Sequence, residues 1–166
     1  MQTTRTIELA MFQYADDHGG KYPEGKSSTE VFQKLIDGQY ISEPAVFYLA
    51  MAGKVKASSN ELHPENVCYD ITARMTDKTP DDVPGVFITG FEVEYKPGGR
   101  AVRLADRAQP QVGKDGFAIA YHNNNAYYKT ATPEASGAVT NIVPADATIG
   151  PGPYVQLTPY GPLDAK

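Results

Sequence analysis

From Thr4 to Pro23 the apolar residues recur at three- and four-residue spacing. Ile7, Ala10, Met11, Tyr14 and Ala15 fall on one stripe of a helix, with Arg5, Glu8, Gln13 and Asp16 largely off it. Such a stripe needs a sheet to cover. Gly19 and Gly20 stop the helix, because glycine accepts the left-handed conformation that closes a C-terminus, and Pro23 cannot continue it. The spacing therefore predicts a first helix over about residues 4–19. Asp16 and Asp17 stand in its last turn, where the helix dipole disfavours negative charge. After a turn at 21–26, Ser27 and Glu30 have the spacing of a capping box, and Val31, Phe32, Leu35 and Ile36 give a second helix over about 28–37, ended by Gly38.

Period two replaces period 3.6 further on. Asn66 to Met75 alternates Val67, Tyr69 and Ile71 with Cys68, Asp70 and Thr72, and reads as a strand. Val86–Thr89, Ala101–Ala105, Phe117–Tyr121 and Ala126–Ala131 follow as further strands, the last two joined by Asn123, Asn124 and Asn125, which tolerate positive φ. Between them these predict an antiparallel meander of four or five strands over about residues 66–131. Residues 45–53 are apolar without alternation and fit an edge strand or a buried extended segment. Residues 132–166 carry six prolines spread from Pro133 to Pro162, so no long regular element fits there; Val139, Ile142, Val143, Ile149, Tyr154, Val155 and Leu157 suit an extended coat packed on or trailing from the first 131 residues.

Composition narrows the function classes. A net charge of -5 with no basic block disfavours nucleic acid, and the longest apolar run is about half of the ~20 residues a bilayer needs. The single Cys68 reads as a small buried hydrophobe rather than a reactive thiol. His18, His63 and His122 stand in three separate segments without metal-ligand spacing and read as turn residues at the surface. No nucleophile elbow or phosphate cradle is present, so no catalytic residue is assigned and the chain is not expected to be an enzyme.

The string ELAMFQYADDHGGKYPEG resembles the point at which the long N-terminal helix of type IV pilin-like proteins and type II secretion pseudopilins enters the globular head. The strings VCYDITARMTDKTPDDVPGVFITG, AVRLADR and DGFAIAYHNNNAYYKTA resemble the head strands of the same proteins, so that the likeness covers roughly residues 5–130. The cleavage site and the apolar stretch of about twenty residues that define the family are not in this sequence.

The resemblance implies an α+β head with a long N-terminal helix packed on the sheet. It further implies a non-enzymatic filament subunit at the periplasm or cell surface, anchored in the inner membrane before assembly by an apolar helix ahead of residue 1. Its partners would be other pilin or pseudopilin subunits and the assembly machinery of the inner membrane, with Tyr14, Asp16, Asp17, Tyr22 and Pro23 setting how the head leans on its neighbour. Some such proteins hold calcium, but neither KDGF nor PADATIGPG forms a dense oxygen-ligand loop, and no cofactor is expected. A second reading is a surface module binding glycan or host protein through Tyr121, Asn123, Asn124, Asn125, Tyr127 and Tyr128; against it, these tyrosines are equally accounted for as ordinary members of strand pairs.

Overall fold

The computed structural model describes residues 2–104, 116–122, 126–130, 142–149 and 154–163. Helix α1 spans Gln2–Asp17 and α2 Ser28–Asp37; the strands are β1 (Tyr69–Thr72), β2 (Pro84–Ile88), β3 (Phe91–Val93), β4 (Ala101–Arg103), β5 (Gly116–Tyr121), β6 (Ala126–Thr130), β7 (Gln156–Thr158) and β8 (Gly161–Pro162). The fold mixes helix with antiparallel sheet. At 16 residues, α1 is a helix of ordinary length.

Helix α2 begins where its cap requires. The Ser27 hydroxyl accepts from the Glu30 N–H at 3.1 Å, while the Glu30 carboxylate accepts from the N–H of Lys26 at 2.9 Å, one residue before the position a standard capping box would use. At the other end Gly38 has an ordinary negative φ, and Gln39, at φ 64°, takes the left-handed position. Gly38 is small for another reason: a Cβ there would lie 2.7 Å from the Tyr40 ring.

The strand order is β6-β5-β2-β1-β7-β8, with β3 and β4 as a separate pair, so the sheet is not the simple meander the sequence predicts. Two hairpins, β1–β2 and β5–β6, lie side by side through β2 and β5, and the C-terminal segment returns to pair β7 with β1. The Pro/Gly-rich segment thus contributes two short strands to the main sheet. Residues 44–47 form a 3-10 turn rather than an edge strand, and Phe47 accepts from the Cys68 N–H through its carbonyl.

Every residue of β2 is buried, which places layers on both faces of the sheet. On one side Ile7, Met11 and Ala15 of α1 and Val31, Phe32 and Leu35 of α2 share a cluster with Ile71 and Val86; on the other, Phe87, Ile119 and Tyr121 pack with Phe91 and Val93 of β3, Ala101 of β4 and Ile142. Cys68 lies in the first cluster, fully buried, its thiol pushed up by desolvation, as a structural residue should be.

Candidate functional site

The exit of α1 turns as its glycines dictate. Gly19 and Gly20 have φ of 69° and 89°, and the Gly20 N–H donates to the Ala15 carbonyl at 2.8 Å. The space beside Gly20 is filled by Asp77, whose Oδ1 would lie 2.7 Å from any added Cβ.

The five exit residues separate into two environments. At the surface, His18 stacks on Tyr14 with ring centroids 3.8 Å apart, Tyr14 meets Tyr40 at 5.5 Å, and the Tyr40 hydroxyl donates to Asp17 Oδ2 at 2.6 Å. The bond to Asp17, which the phenolate would lose, pushes the Tyr40 hydroxyl up to about 12. That bond also gives Asp17 a donor in the helix turn whose dipole would otherwise leave it exposed to free carbonyls. Asp16 is exposed, on the side of α1 that carries Leu9 and Phe12. Tyr22 and Pro23 instead turn inward and are buried.

Tyr22 leads to a buried polar group that periodicity did not place. Glu8 is wholly buried, not off the apolar stripe: at about 100° per residue it falls beside Ala15 and Thr4, at the stripe's edge. The Tyr22 hydroxyl donates to Glu8 Oε2 at 3.2 Å, and Glu8 Oε1 has no hydrogen-bond partner among the described residues. Oε1 fits against Gly85, where a Cβ would come within 2.1 Å of it. Gly85 sits at the register shift between Pro84 and Val86, a bulge opposite β5 that opens the backbone to this close approach. Burial holds the Glu8 carboxyl well above the usual carboxylate range, and the Tyr22 hydrogen bond lowers it in part.

His122 closes the group. It is buried, contrary to the expectation of a surface turn residue, because β5 carries it under the 76–83 loop. Its Nε2 lies 2.7 Å from the Thr76 carbonyl, its ring stacks near Tyr22 at 5.6 Å, and its Nδ1 has no partner among the described residues. Burial pulls the imidazole below its ordinary value, opposed by the Thr76 carbonyl and by Asp81 and Asp77. His18 and His63 are exposed. Among the described residues no group of three His, Cys, Asp or Glu is placed to hold a metal.

Of the tyrosine hairpin, Tyr121 is the member whose side chain is described. Tyr121 is buried and its hydroxyl donates to the Ile142 carbonyl, so its ring is core. Asn123, Asn124 and Asn125 lie outside the described residues; the backbones of Tyr127 and Tyr128 pair with Ile119 and Ala118 in the β5–β6 ladder.

A groove of about 710 Å³ opens elsewhere, between the α2 N-terminus and the β1 and β7 ends, with Val155, Leu157 and Pro23 as floor and Lys26, Lys34 and Arg74 at its rim. Glu24 and Glu30 share that rim, so its charge is mixed.

The feature sequence reasoning passed over is the outer face of α1, where Leu9 and Phe12 are 43% and 46% exposed. Their signal was present: two large apolar residues three apart, falling on the side opposite the buried stripe. Comparisons with family models, curated proteins and solved structures gave no match to this chain. No helix among the described residues is long and apolar enough to cross a membrane.

Proposed function

We propose that this chain is the globular head of a filament subunit of the type IV pilin-like or type II secretion pseudopilin kind, a non-enzymatic building block at the periplasm or cell surface. The observation that carries the reading is the two-faced α1. One face is committed to the sheet, and the other holds Leu9 and Phe12 out to solvent beside Asp16, close to the helix exit. An exposed apolar pair on a helix at the N-terminal end of a head suits burial against a neighbouring subunit. On this reading α1 is the end of a longer helix whose apolar part anchors the subunit in the inner membrane before assembly and lies in the filament core afterwards. Identical subunits in heterologous, non-closing contact then form the filament.

Intact mass and N-terminal sequencing of the native protein from its source cells test this directly. A mature chain carrying an additional, mostly apolar segment of about twenty or more residues ahead of Gln2, with an N-methylated first residue, is expected. A native chain without such a segment overturns the reading. In the native subunit, Leu9→Cys with Phe12→Cys should further give a ladder of cross-linked oligomers.

A further inference from the structure

At 3.6 residues per turn, Arg5, Leu9, Phe12 and Asp16 fall within about 60° of arc on the outer face of α1. All four are exposed, and the order along the helix is cation, apolar, apolar, anion. The spacing is symmetric about the midpoint between Ala10 and Met11: Arg5 and Asp16 are equidistant from it, as are Leu9 and Phe12.

We infer that this stripe pairs with the same stripe of a second copy, the two α1 helices running antiparallel about a two-fold axis at that midpoint. The symmetry is what selects this arrangement. With the helices antiparallel, Arg5 of each copy faces Asp16 of the other while Leu9 faces Phe12, so both ion pairs and both apolar pairs form together. With the helices parallel and in register, Arg5 meets Arg5 and Asp16 meets Asp16. A parallel stagger that brings Asp16 to Arg5 displaces the helices by about 16 Å and takes Leu9 and Phe12 of the two copies out of reach of one another.

The helix dipole adds a reason at the C-terminal end, which Gly19 and Gly20 close: α1 has no basic residue in its last turn, and in the antiparallel pair Arg5 of the other copy comes to that negative end.

This contact is isologous and closes at two copies, whereas a filament needs a contact that does not close. It takes the same Leu9–Phe12 face that the filament reading gives to a neighbouring subunit, so a head paired in this way is not assembled: cross-links through Leu9→Cys with Phe12→Cys stop at dimers in this pairing and run to a ladder in a filament. Its four-residue core is small, so the dimer is weak and salt-sensitive.

Sedimentation equilibrium of the 166-residue chain, concentrated and at low ionic strength, is expected to show a reversible monomer–dimer equilibrium that added salt weakens. Arg5→Asp alone and Asp16→Arg alone each set two like-charge pairs at the contact and raise the dissociation constant about tenfold; the double variant restores it to within about threefold. Both positions are exposed, so the variants should keep the wild-type circular dichroism and melting profile. An independent readout mixes Arg5→Cys chains with Asp16→Cys chains: the mixed disulfide should form faster than either self-disulfide, and the buried Cys68 does not compete. A chain that is monomeric throughout, a dimer indifferent to the single charge reversals, or preferential disulfides between two Arg5→Cys copies would each overturn the pairing.

Discussion

Glu8 and Gln156 are long polar side chains of similar size, each at most 4% exposed, set on opposite faces of the same sheet. Gln156 has a partner for every polar group: its amide donates to Asp70 Oδ2 and to the Phe91 carbonyl, both at 2.7 Å, and its Oε1 accepts from the Val93 N–H at 2.9 Å. Glu8 has one bond of 3.2 Å and an oxygen against a glycine. The difference lies in what surrounds each. Gln156 enters between a strand and the backbone of β3, whose Phe91 carbonyl and Val93 N–H reach it directly. Glu8 enters between a helix and a sheet, whose backbone groups are already spent on each other. A buried polar residue is stabilising or costly according to that supply, not according to burial.

The largest expected effect comes from breaking the satisfied side. Gln156→Ala removes the amide donor from Asp70 Oδ2 and the Phe91 carbonyl and the acceptor from the Val93 N–H, and opens a cavity at the junction of β1, β3 and β7. A loss of about 3–5 kcal/mol is expected in urea denaturation. Because Gln156 is the tie between the β3–β4 pair and the main sheet, amide exchange in Phe91–Val93 should accelerate more than in α1.

The next test asks how tightly Glu8 is fitted. In Gly85→Ala the new methyl meets Glu8 Oε1 at 2.1 Å and the Ala120 carbonyl at 3.2 Å, so the carboxyl must move; about 2–3 kcal/mol is the expected cost. Shortening the other partner relieves this. In a Glu8→Ala background the same substitution should cost at least 1 kcal/mol less, a coupling that two independent sites would not show.

How far these features can be read from sequence follows the range of the interactions. Local rules placed α2 over 28–37 with its Ser27 cap, the glycine exit of α1, and a hairpin at 117–131 close to β5 and β6. The β7 pairing with β1 joins residues more than eighty apart and lies in a segment whose prolines argue against strands, so no local pattern announces it. Strand β3, three residues long, is too short for alternation to register. Glu8 looks off the stripe by residue type, but its helical angle sets it next to Ala15 and Thr4 at the stripe's edge. Its neighbours held a signal, since Gly85 inside a strand marks a close approach of something to the backbone. Helical spacing places Tyr14 half-buried at the edge of the core, whereas Tyr22 lies beyond the turn at Gly19-Gly20, and its burial depends on where that turn sends the chain.

Acidity separates the two sides further, because Gln156 does not titrate. Glu8 is raised in the folded state, so its contribution is fully present below about pH 4.3, its unfolded value, and is lost as pH rises toward its folded value. His122 is lowered, so its contribution is present above about pH 6.5 and is lost as pH falls below it. Where the two windows overlap the slopes oppose; above about pH 6.5 the His122 contribution is complete, and the Glu8 limb ends at the folded value of its carboxyl. Glu8→Gln removes that limb. Stability of the variant should no longer fall as pH rises above about 4.3, so its gain over wild type, read from urea denaturation across pH, grows with pH until the folded Glu8 carboxyl has ionised. An unchanged pH profile would mean that Glu8 is not the titrating group.

Tyr22→Phe is the finest cut. It removes the one hydrogen bond Glu8 has while keeping the ring that packs near His122, so at low pH, where the carboxyl is protonated, it should cost only about 0.5–1.5 kcal/mol. The consequence for pH is the sharper readout. The Tyr22 hydroxyl is what draws the Glu8 carboxyl down from the value burial alone would set, so its loss sends the folded value higher still. The falling limb of stability should then extend to higher pH in Tyr22→Phe, whereas in Glu8→Gln it is absent. In the double variant Tyr22→Phe should move stability by a pH-independent amount. If Tyr22→Phe leaves the limb where it was, the hydroxyl does not act on the ionised carboxylate, and the contrast with Gln156 is complete: Glu8 is then buried with no polar group working on its behalf.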